Sequence, residues 1–477
     1  MPDSPTIVWF RRDLRLDDHP ALAAAAKRGP VVPVYVHDPE QDQSAWAPGG
    51  ASRWWLHASL ESLSDKLAAL GCPLTLRIGN PGRELGEIIR ATGADRVMFN
   101  EAIEPASRQI DEHIDEQLGG SGSMVDRFGA DLLWPIGSVM TQNCDPYQVF
   151  SPFWKMGLKT GDPEDPVPAP RSLRAPDRLP ESARLDQLGL LPDVDWAGGL
   201  RERWTPGERG AVSAFAAFVR YRVDAYHDDR DRLDLPGWSA MSPHIHFGEI
   251  SVRRIWQMLT KHPGWKKHKG REHYLREVGW REFAQHLLNH FPHTTDRPLR
   301  EKFSRFPWRE DPAGLRAWQR GLTGYPAIDA AMRQLYAEGW MPNRARMMVA
   351  SFLCKNLMIS WQHGAAWFWD TLVDANLGSN TLGWQWTAGC GADAAPYFRI
   401  FNPITQGEKF DPAGDYVRRW VPELAGLDQD FIHKPWQAPP MALQAAGVTL
   451  GETYPERVVD HPASRERALA ALETITA

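Results

Sequence analysis

The sequence predicts an α/β N-terminal domain built on a parallel sheet, followed by a large all-α domain, and three observations carry that expectation. Up to about residue 118 short β-rich runs alternate with helical stretches, six of the twenty residues from 161 to 180 are Pro, and beyond about 205 the apolar period becomes helical.

The first strand, TIVWF from Thr6, runs into Arg11-Arg12-Asp13-Leu14-Arg15. An Ala-rich helix follows, opened by His19-Pro20 and closed by Gly29, the usual punctuation of Pro at a helix start and Gly just past its end. VVPVYV is a second strand, ASRWWLHASLESLSDKLAALG a longer helix, PLTLRI a third strand, PGRELGEIIRATG a helix, RVMFN a fourth strand, and Glu104 to Leu118 a helix. Ligands of such sheets sit beyond the carboxyl ends of the strands, yet no G-x-G-x-x-G follows the first strand. The domain is therefore Rossmann-like without the dinucleotide fingerprint. Gly119, Gly120 and Gly122 follow a helix rather than a strand and read as a turn. The Pro-rich stretch reads as a surface-hugging connector, which gives a first domain at 1–130, a linker at 131–205 and a helical domain at 206–477. In that last part, Ile328, Ala331, Met332, Leu335 and Tyr336 fall at i, i+3, i+4, i+7 and i+8, and similar stripes recur in FLCKNLM and around WFWDTLV.

The chain has 477 residues, 54 Lys and Arg against 60 Asp and Glu, four Cys and 22 Trp. Its charged and apolar fractions, 24% and 43%, exclude disorder and coiled coil. No 18-residue apolar run occurs, and MPDSPTIVWFRRD lacks the basic-then-apolar order of a signal peptide, so a cytoplasmic protein without membrane attachment is expected. Cys72, Cys144, Cys354 and Cys390 form no C-x-x-C pair, which speaks against a zinc site or a disulfide framework; no metal is expected. The formal charge of −6 hides an asymmetry: residues 1–205 carry 21 basic and 30 acidic side chains, a net of −9, whereas 206–420 carry 29 and 22, a net of +7. A basic half of this kind suits a polyanion, although scattered Arg is also an ordinary solvated surface.

Fourteen of the 22 Trp lie beyond residue 205. Packing is the ordinary use of an indole; base stacking and one-electron transfer are the functional ones, and spacing alone does not bring Trp308, Trp361 and Trp384 together. In REHYLREVGWREFAQHLL, Glu277, Trp280, Arg281 and Ala284 share a helix face, where a carboxylate, an indole and a guanidinium need a partner, either a ligand or another helix. Asn343, Arg344 and Arg346 open a helix after Pro342, where free N–H groups favour anions. The Gly-rich run LVDANLGSNTLGWQWTAGCGADAAPYFRIFNPITQGEKF fits a binding segment better than a core helix. Around GWSAMSP, the Ser239 and Ser242 hydroxyls and a helix opened by Pro243 have the character of a phosphate-binding loop. His244, His246 and Glu249 have the chemistry of metal ligands, but a lone H-x-H is a weak signal.

TIVWFRRDLRLDDHPAL, ASRWWLHASL, YLREVGWREF, TGYPAIDAAMRQL, GWMPNRARMMVASFL and above all GWQWTAGCGADAAPYFRIFNPITQGEKF resemble the DNA photolyase and cryptochrome family over nearly the whole chain, and within it the bacterial cyclobutane pyrimidine dimer photolyases. The resemblance implies an N-terminal antenna domain and a helical FAD-binding domain holding a folded-up FAD. Carried over position by position, Tyr226, Trp238, Ser239, Ala240, Met241, Ser242, Tyr274, Arg281, Asn343, Arg346, Asp374, Ala375, Asn376 and Asn380 would line the flavin site, with Asn380 facing the isoalloxazine N5. Glu277, Trp280, Met347 and Trp386 would contact the damaged base pair, and Arg230, Arg344 and Arg399 the DNA phosphates. Trp384, Trp361 and Trp308 match the chain that relays electrons from the surface to reduce the flavin.

Some positions depart from the family pattern. Where relatives read T-S-x-L-S with Arg often in the middle, this chain has Trp238, Ala240 and Met241, which removes a hydroxyl and a cation beside the diphosphate. Asn376 stands where many relatives have Asp, and Ala106 and Ser107 where folate-antenna relatives carry Asn-Glu. What the resemblance implies is a monomeric, light-driven repair enzyme in which reduced FAD injects one electron into a flipped-out dimer in DNA, with an antenna chromophore such as a folate as an option. The alternatives are a cryptochrome-type blue-light sensor, a (6-4) photolyase, disfavoured by Met347 where such relatives place His, and a nucleic-acid binder without photochemistry. The Glu277, Trp280 and Met347 set, and a C-terminus ending soon after a short helical stretch, favour repair over sensing.

Overall fold

The computed structural model describes residues 4–40, 46–119, 123–394 and 398–476; Gly120 and Gly122, expected in a turn, lie outside them. The chain divides into two compact units: Met1–Asp224 with Ser239–Pro292 and Val373–Asn376, and Ala225–Trp238 with His293–Leu372 and Leu377–Ala477.

The first unit contains a five-stranded parallel sheet, with strands β1 (Thr6–Phe10), β2 (Val31–His37), β3 (Thr75–Ile78), β4 (Arg96–Asn100) and β5 (Met124–Phe128) in the order β3-β2-β1-β4-β5. Helices α1 (Pro20–Arg28), α2 (Gly50–Ala69), α3 (Pro81–Thr92) and α4 (Pro105–Gly119) connect them. β1 and β2 are buried along their whole length, as strands covered on both faces must be, and Ile7, Trp9, Val34, Leu85, Ile88, Val97 and Phe99 share one core cluster. The α1 start is held by His19, whose ring accepts the Leu22 N–H, and α3 ends on Gly93 in the left-handed region. Sequence reading gives four strands. It misses β5 because that strand is an edge with no apolar alternation and mostly half-exposed residues.

Strand order reverses between β1 and β4, the point where open α/β sheets take ligands. Here protein side chains occupy it. Arg11 pairs with Asp111 and donates to the Asn100 carbonyl, and the Asn100 amide donates to Asp13 at 2.7 Å. Burial pushes the Asp13 carboxyl up, but His19, 3.0 Å away, and Arg11 outweigh it and hold Asp13 well below the usual carboxylate range. The missing glycine fingerprint thus goes with a crevice filled by charge. The Pro-rich connector lies along the sheet: the Val31 N–H donates to Arg174 O, and on edge strand β3 the Leu76 N–H donates to the Ser182 hydroxyl while the Leu76 carbonyl accepts the Ala183 N–H.

The second unit is helical, including Pro326–Glu338, Asn343–Ser351, a π-helix at Phe352–Leu357, Trp361–Thr371 and Leu377–Ala388. That last helix corrects the expectation of a segment unlike a core helix. Leu377, Thr381, Trp384 and Ala388, at i, i+4, i+7 and i+11, are all buried, and Thr and Gly in the sequence mask the stripe. Among the described residues no helix is long and apolar enough to cross a membrane.

Candidate active site

In the first unit the helix Lys269–His290 is the scaffold. It lies so close to Phe150–Thr160 (α5) that a Cβ on Gly279 would meet the Trp154 ring at 2.4 Å. Next to that contact Trp280 stacks on Phe150, with ring centroids 3.9 Å apart and planes 12° from parallel. One indole face is thereby fixed; Trp280 as a whole stays half-buried, and Glu277 lies one turn earlier on the same helix. Tyr274 is buried and hydrogen-bonded to Ser239; burial raises its phenol, and the nearby Glu277 charge adds to the rise. Ser239, Tyr274 and Glu277 thus form one polar line.

Arg281 donates to Asp131 O and to Glu282 Oε1, both at 3.0 Å, while Glu282 also accepts the Leu133 N–H at 2.7 Å. Burial pushes Glu282 up to about 7 despite Arg281. The loop at 239–242 turns on Ala240, whose φ of +54° is left-handed backbone at a non-glycine residue, the kind of strain that concentrates at functional sites. Asp374 and Ala375 are buried, and the Gln285 amide donates to Asn376 Oδ1 at 2.7 Å, orienting that departure from the family pattern. His244 pairs with Glu249, whose remaining oxygen takes Trp55 Nε1, Ser59 and the Gly207 N–H. Glu249 is therefore saturated by protein donors, and the metal reading of this trio fails. His246 is different: it is buried beside Arg281 and Arg12, its ring held neutral by burial and those cations, and its Nδ1 has no partner.

In the second unit Arg230 and Arg344 both face Asp231, and the Arg344 guanidinium lies 4.4 Å from the Phe410 ring centroid. Arg399 is exposed, 4.8 Å from the Phe401 ring. Tyr226 is buried with Arg230 5.8 Å from its ring, and Asn343 contacts Met347 one turn on. Arg346 donates to Met341 O at 3.1 Å. Trp238, in place of the family Thr, donates to Arg232 O at 3.0 Å and packs on Trp340 at 5.6 Å, a packing role. Asn380 is nearly buried and donates to Ala365 O, and one turn on a Cβ on Gly383 would meet nothing within 4 Å, so this helix face is open.

The benzo edge of Trp384 lies against the helix Trp361–Thr371: a Cβ on Gly364 would sit 2.0 Å from its ring. Trp361 is one turn before Gly364. The Arg309 N–H, next to Trp308, bonds Met358 O at 2.8 Å, three residues before Trp361. Trp384 and Trp361 are buried and Trp308 is half-exposed. Trp318, which sequence reading passes over, packs edge-on to Trp384 at 6.1 Å. Trp386 is half-buried on the same helix.

Within the first unit the Arg281 guanidinium lies near the unpartnered buried His246 nitrogen, a set suited to the anionic part of a flavin nucleotide, and within the second the buried Asn380 amide stands beside an open glycine face. Gln285 escapes sequence reading because a single polar residue on a buried face looks like an ordinary core position, and His246 is singled out there only as a metal-ligand type, not as a neighbour of Arg281.

Comparison with known proteins points the same way. The family model described as DNA photolyase matches residues 6–171, and that described as the FAD binding domain of DNA photolyase matches 274–474. A deoxyribodipyrimidine photo-lyase of Agrobacterium fabrum is 46% identical over 99% of this chain and 98% of its own. Cryptochrome-1 of Arabidopsis thaliana is 38% identical over 98% of this chain and 70% of its own. The crystal structure of a class III photolyase from Agrobacterium tumefaciens superposes with a TM-score of 0.95 at 45% identity, covering 100% of this chain and 98% of that one. The chain belongs to the DNA photolyase and cryptochrome family.

Proposed function

We propose that the protein is a light-driven deoxyribodipyrimidine photolyase that splits cyclobutane pyrimidine dimers in DNA. The observation that carries this reading is the arrangement on the helix Lys269–His290: an indole clamped on one face by Phe150, with a carboxylate one turn away. Trp280, immobilised at no further entropic cost, stacks on a flat, apolar lesion, and Glu277 offers a hydrogen bond to its carbonyl edge. Met347 and Trp386 complete the lesion contacts. A crosslinked dimer stacks poorly, so taking it out of the duplex costs less than flipping an intact pair. Arg230, Arg344 and Arg399 neutralise phosphates, in keeping with the net +7 of residues 206–420.

FAD is held by Tyr226, Trp238 to Ser242, Tyr274, Arg281, Asn343, Arg346, Asp374 to Asn376 and Asn380. When bound and reduced it supplies, on absorbing blue light, one electron that it regains after the dimer splits. Arg281 and the Ser239 and Ser242 hydroxyls would hold its anionic part, and Asn380 would offer an amide to its ring. Trp384, Trp361 and Trp308 carry electrons inward. Trp384 Nε1 is buried without a hydrogen-bond partner, so no neighbour takes its proton when the indole is oxidised, and refilling from Trp361 is the open route. A folate-type antenna in the 1–130 domain, ahead of the 131–205 linker and the 206–477 FAD domain, would rely on residues other than Ala106 and Ser107. The working protein is a monomer acting in the cytoplasm.

Illumination of the FAD-loaded, reduced protein with dimer-containing oligonucleotide tests the reading. Restored thymines in light and none in darkness are expected. Flavin-loaded protein that never repairs overturns the reading in favour of a cryptochrome-type light sensor.

A further inference from the structure

One buried charge has no place in the site described above. Lys355 is fully buried in the π-helix Phe352–Leu357, an element that recurs at functional positions because it re-aims side chains. Among the described residues no carboxylate lies within ion-pair reach of it. Its ammonium donates to Ala388 O at 2.7 Å and sits 2.9 Å from the Phe398 ring centroid. Ala388 is the last residue of the helix Leu377–Ala388, so the cation meets an orphan carbonyl at the negative end of the helix dipole.

The groups around Lys355 suggest a clamp. A Cβ on Gly389, which has a φ of +90°, would come within 3.2 Å of the Phe398 ring and 3.5 Å of Lys355 Nζ, so a residue with no side chain makes room for both. One turn before Lys355, the buried Ser351 hydroxyl accepts the Phe401 N–H at 3.1 Å. The stretch 351–355 therefore holds the helix end at Ala388 and also Phe398 and Phe401, which lie on either side of Arg399. Burying a lone ammonium is expensive, and a hydrophobic residue would hold the same space at less cost.

Resting on the photolyase reading above, we propose that Lys355 is a positioning residue for lesion recognition: its ammonium ties the end of the helix bearing Trp386 to the segment bearing Arg399. Geometry carries the assignment, and electrostatics supports it. Burial lowers the Lys355 ammonium to about 7, against a small opposing effect of Cys354 and Cys390. The other ionisable groups facing this stretch are Arg300, whose N–H bonds Cys390 O, and His461 and Arg467, which reach Asn356. Burial pushes Cys390 up to about 12 and Cys354 higher still, so neither thiol supplies a counter-charge. The clamp is thus charged below neutral pH and weakens above it.

The test is binding and repair of a dimer-containing duplex by the FAD-loaded full chain, for wild type, Lys355→Met and Lys355→Arg, near pH 6 and near pH 8.5. Lys355→Met should bind the lesion about tenfold more weakly, the size of one charge-assisted hydrogen bond, and should need more DNA for half-maximal repair while keeping its yield at saturation. Wild-type affinity should fall with rising pH through about 7, and Lys355→Arg, charged throughout, should bind with that step removed. If Lys355→Met does not fold, wild type against Lys355→Arg still decides. Unchanged affinity in Lys355→Met, or the same pH step in Lys355→Arg, overturns the proposal alone. Wild-type protein without preference for dimer DNA overturns the functional reading and this proposal with it.

Discussion

Asp18 and Glu249 in the first unit and Asp329, Asp411 and Lys355 in the second are buried in different ways. In the first, Asp18 is bonded by Arg253 at 3.0 and 3.1 Å and lies beside Arg15, and Glu249 takes four protein donors. Burial pushes Asp18 up, but the two guanidiniums outweigh it and hold the carboxyl below its usual range. In the second, the most deeply buried ionisable groups have hydrogen bonds in place of a counter-ion. Asp329 accepts from Thr323, Gly324 and Tyr454, Asp411 accepts from the Tyr416 and Val417 N–H groups, and Lys355 has a carbonyl and a ring. Burial then moves Asp411 up to about 6 and Lys355 down to about 7. Where counter-ions outweigh burial, as at Asp18, the carboxyl stays ionised; where they do not, as at Glu282, Asp411 and Lys355, the group titrates near neutrality. Single indoles show the same two treatments: Trp55 Nε1 is bonded to Glu249 at 2.9 Å, and Trp384 Nε1 has no partner.

Four substitutions press on that contrast. Trp384→Phe keeps an aromatic ring against Gly364 but removes the oxidisable indole, so photoreduction of oxidised flavin should be lost while chemically reduced protein still repairs. Transient absorption checks this, and unchanged photoreduction would remove Trp384 from the relay. Asp18→Ala leaves Arg253 buried and unpaired and should cost about 3–5 kcal/mol in denaturant unfolding, with flavin chemistry unaffected. Lys355→Met should act in the opposite direction, stabilising the fold by roughly 1–4 kcal/mol at pH 7. Because the folded state binds this proton less tightly than the unfolded chain does, the cost of Lys355 develops as pH falls from 10.5 to about 7 and is constant below. The gain from Lys355→Met should therefore shrink as pH rises through that window; a gain that does not change with pH would mean ordinary repacking. Smallest, Trp55→Phe removes one of several donors to Glu249 and should cost about 1–3 kcal/mol without slowing photoreduction.

The sheet is legible in the sequence because parallel strands buried on both faces are apolar along their length and their helices carry Pro and Gly punctuation, as His19-Pro20 and Gly93 do. The helix at Leu377–Ala388 is less so: its buried stripe includes Thr381, and Gly378 and Gly383 suggest a loop. Motif resemblance names the site residues, but not what holds them. The Phe150 stack under Trp280, Gly364 under Trp384 and Gln285 on Asn376 join residues 20 to 130 positions apart, and no local pattern encodes such pairs. Lys355 is the extreme case, since a lysine in a helical stretch reads as solvent-facing until its burial is seen.

The contact of Ser182 and Ala183 with Leu76 bears on how this protein can be cut. These residues act as a cover strip for the exposed edge of β3, yet they belong to the connector and not to the sheet. A fragment ending at residue 130 would keep every strand and lose the strip, presenting bare N–H and C=O groups to the next molecule. Such a truncation should self-associate through that edge, whereas one ending beyond residue 183 should stay dispersed. The safe place to separate the α/β domain for expression or grafting therefore lies some fifty residues past the last strand, where the connector has finished sealing it.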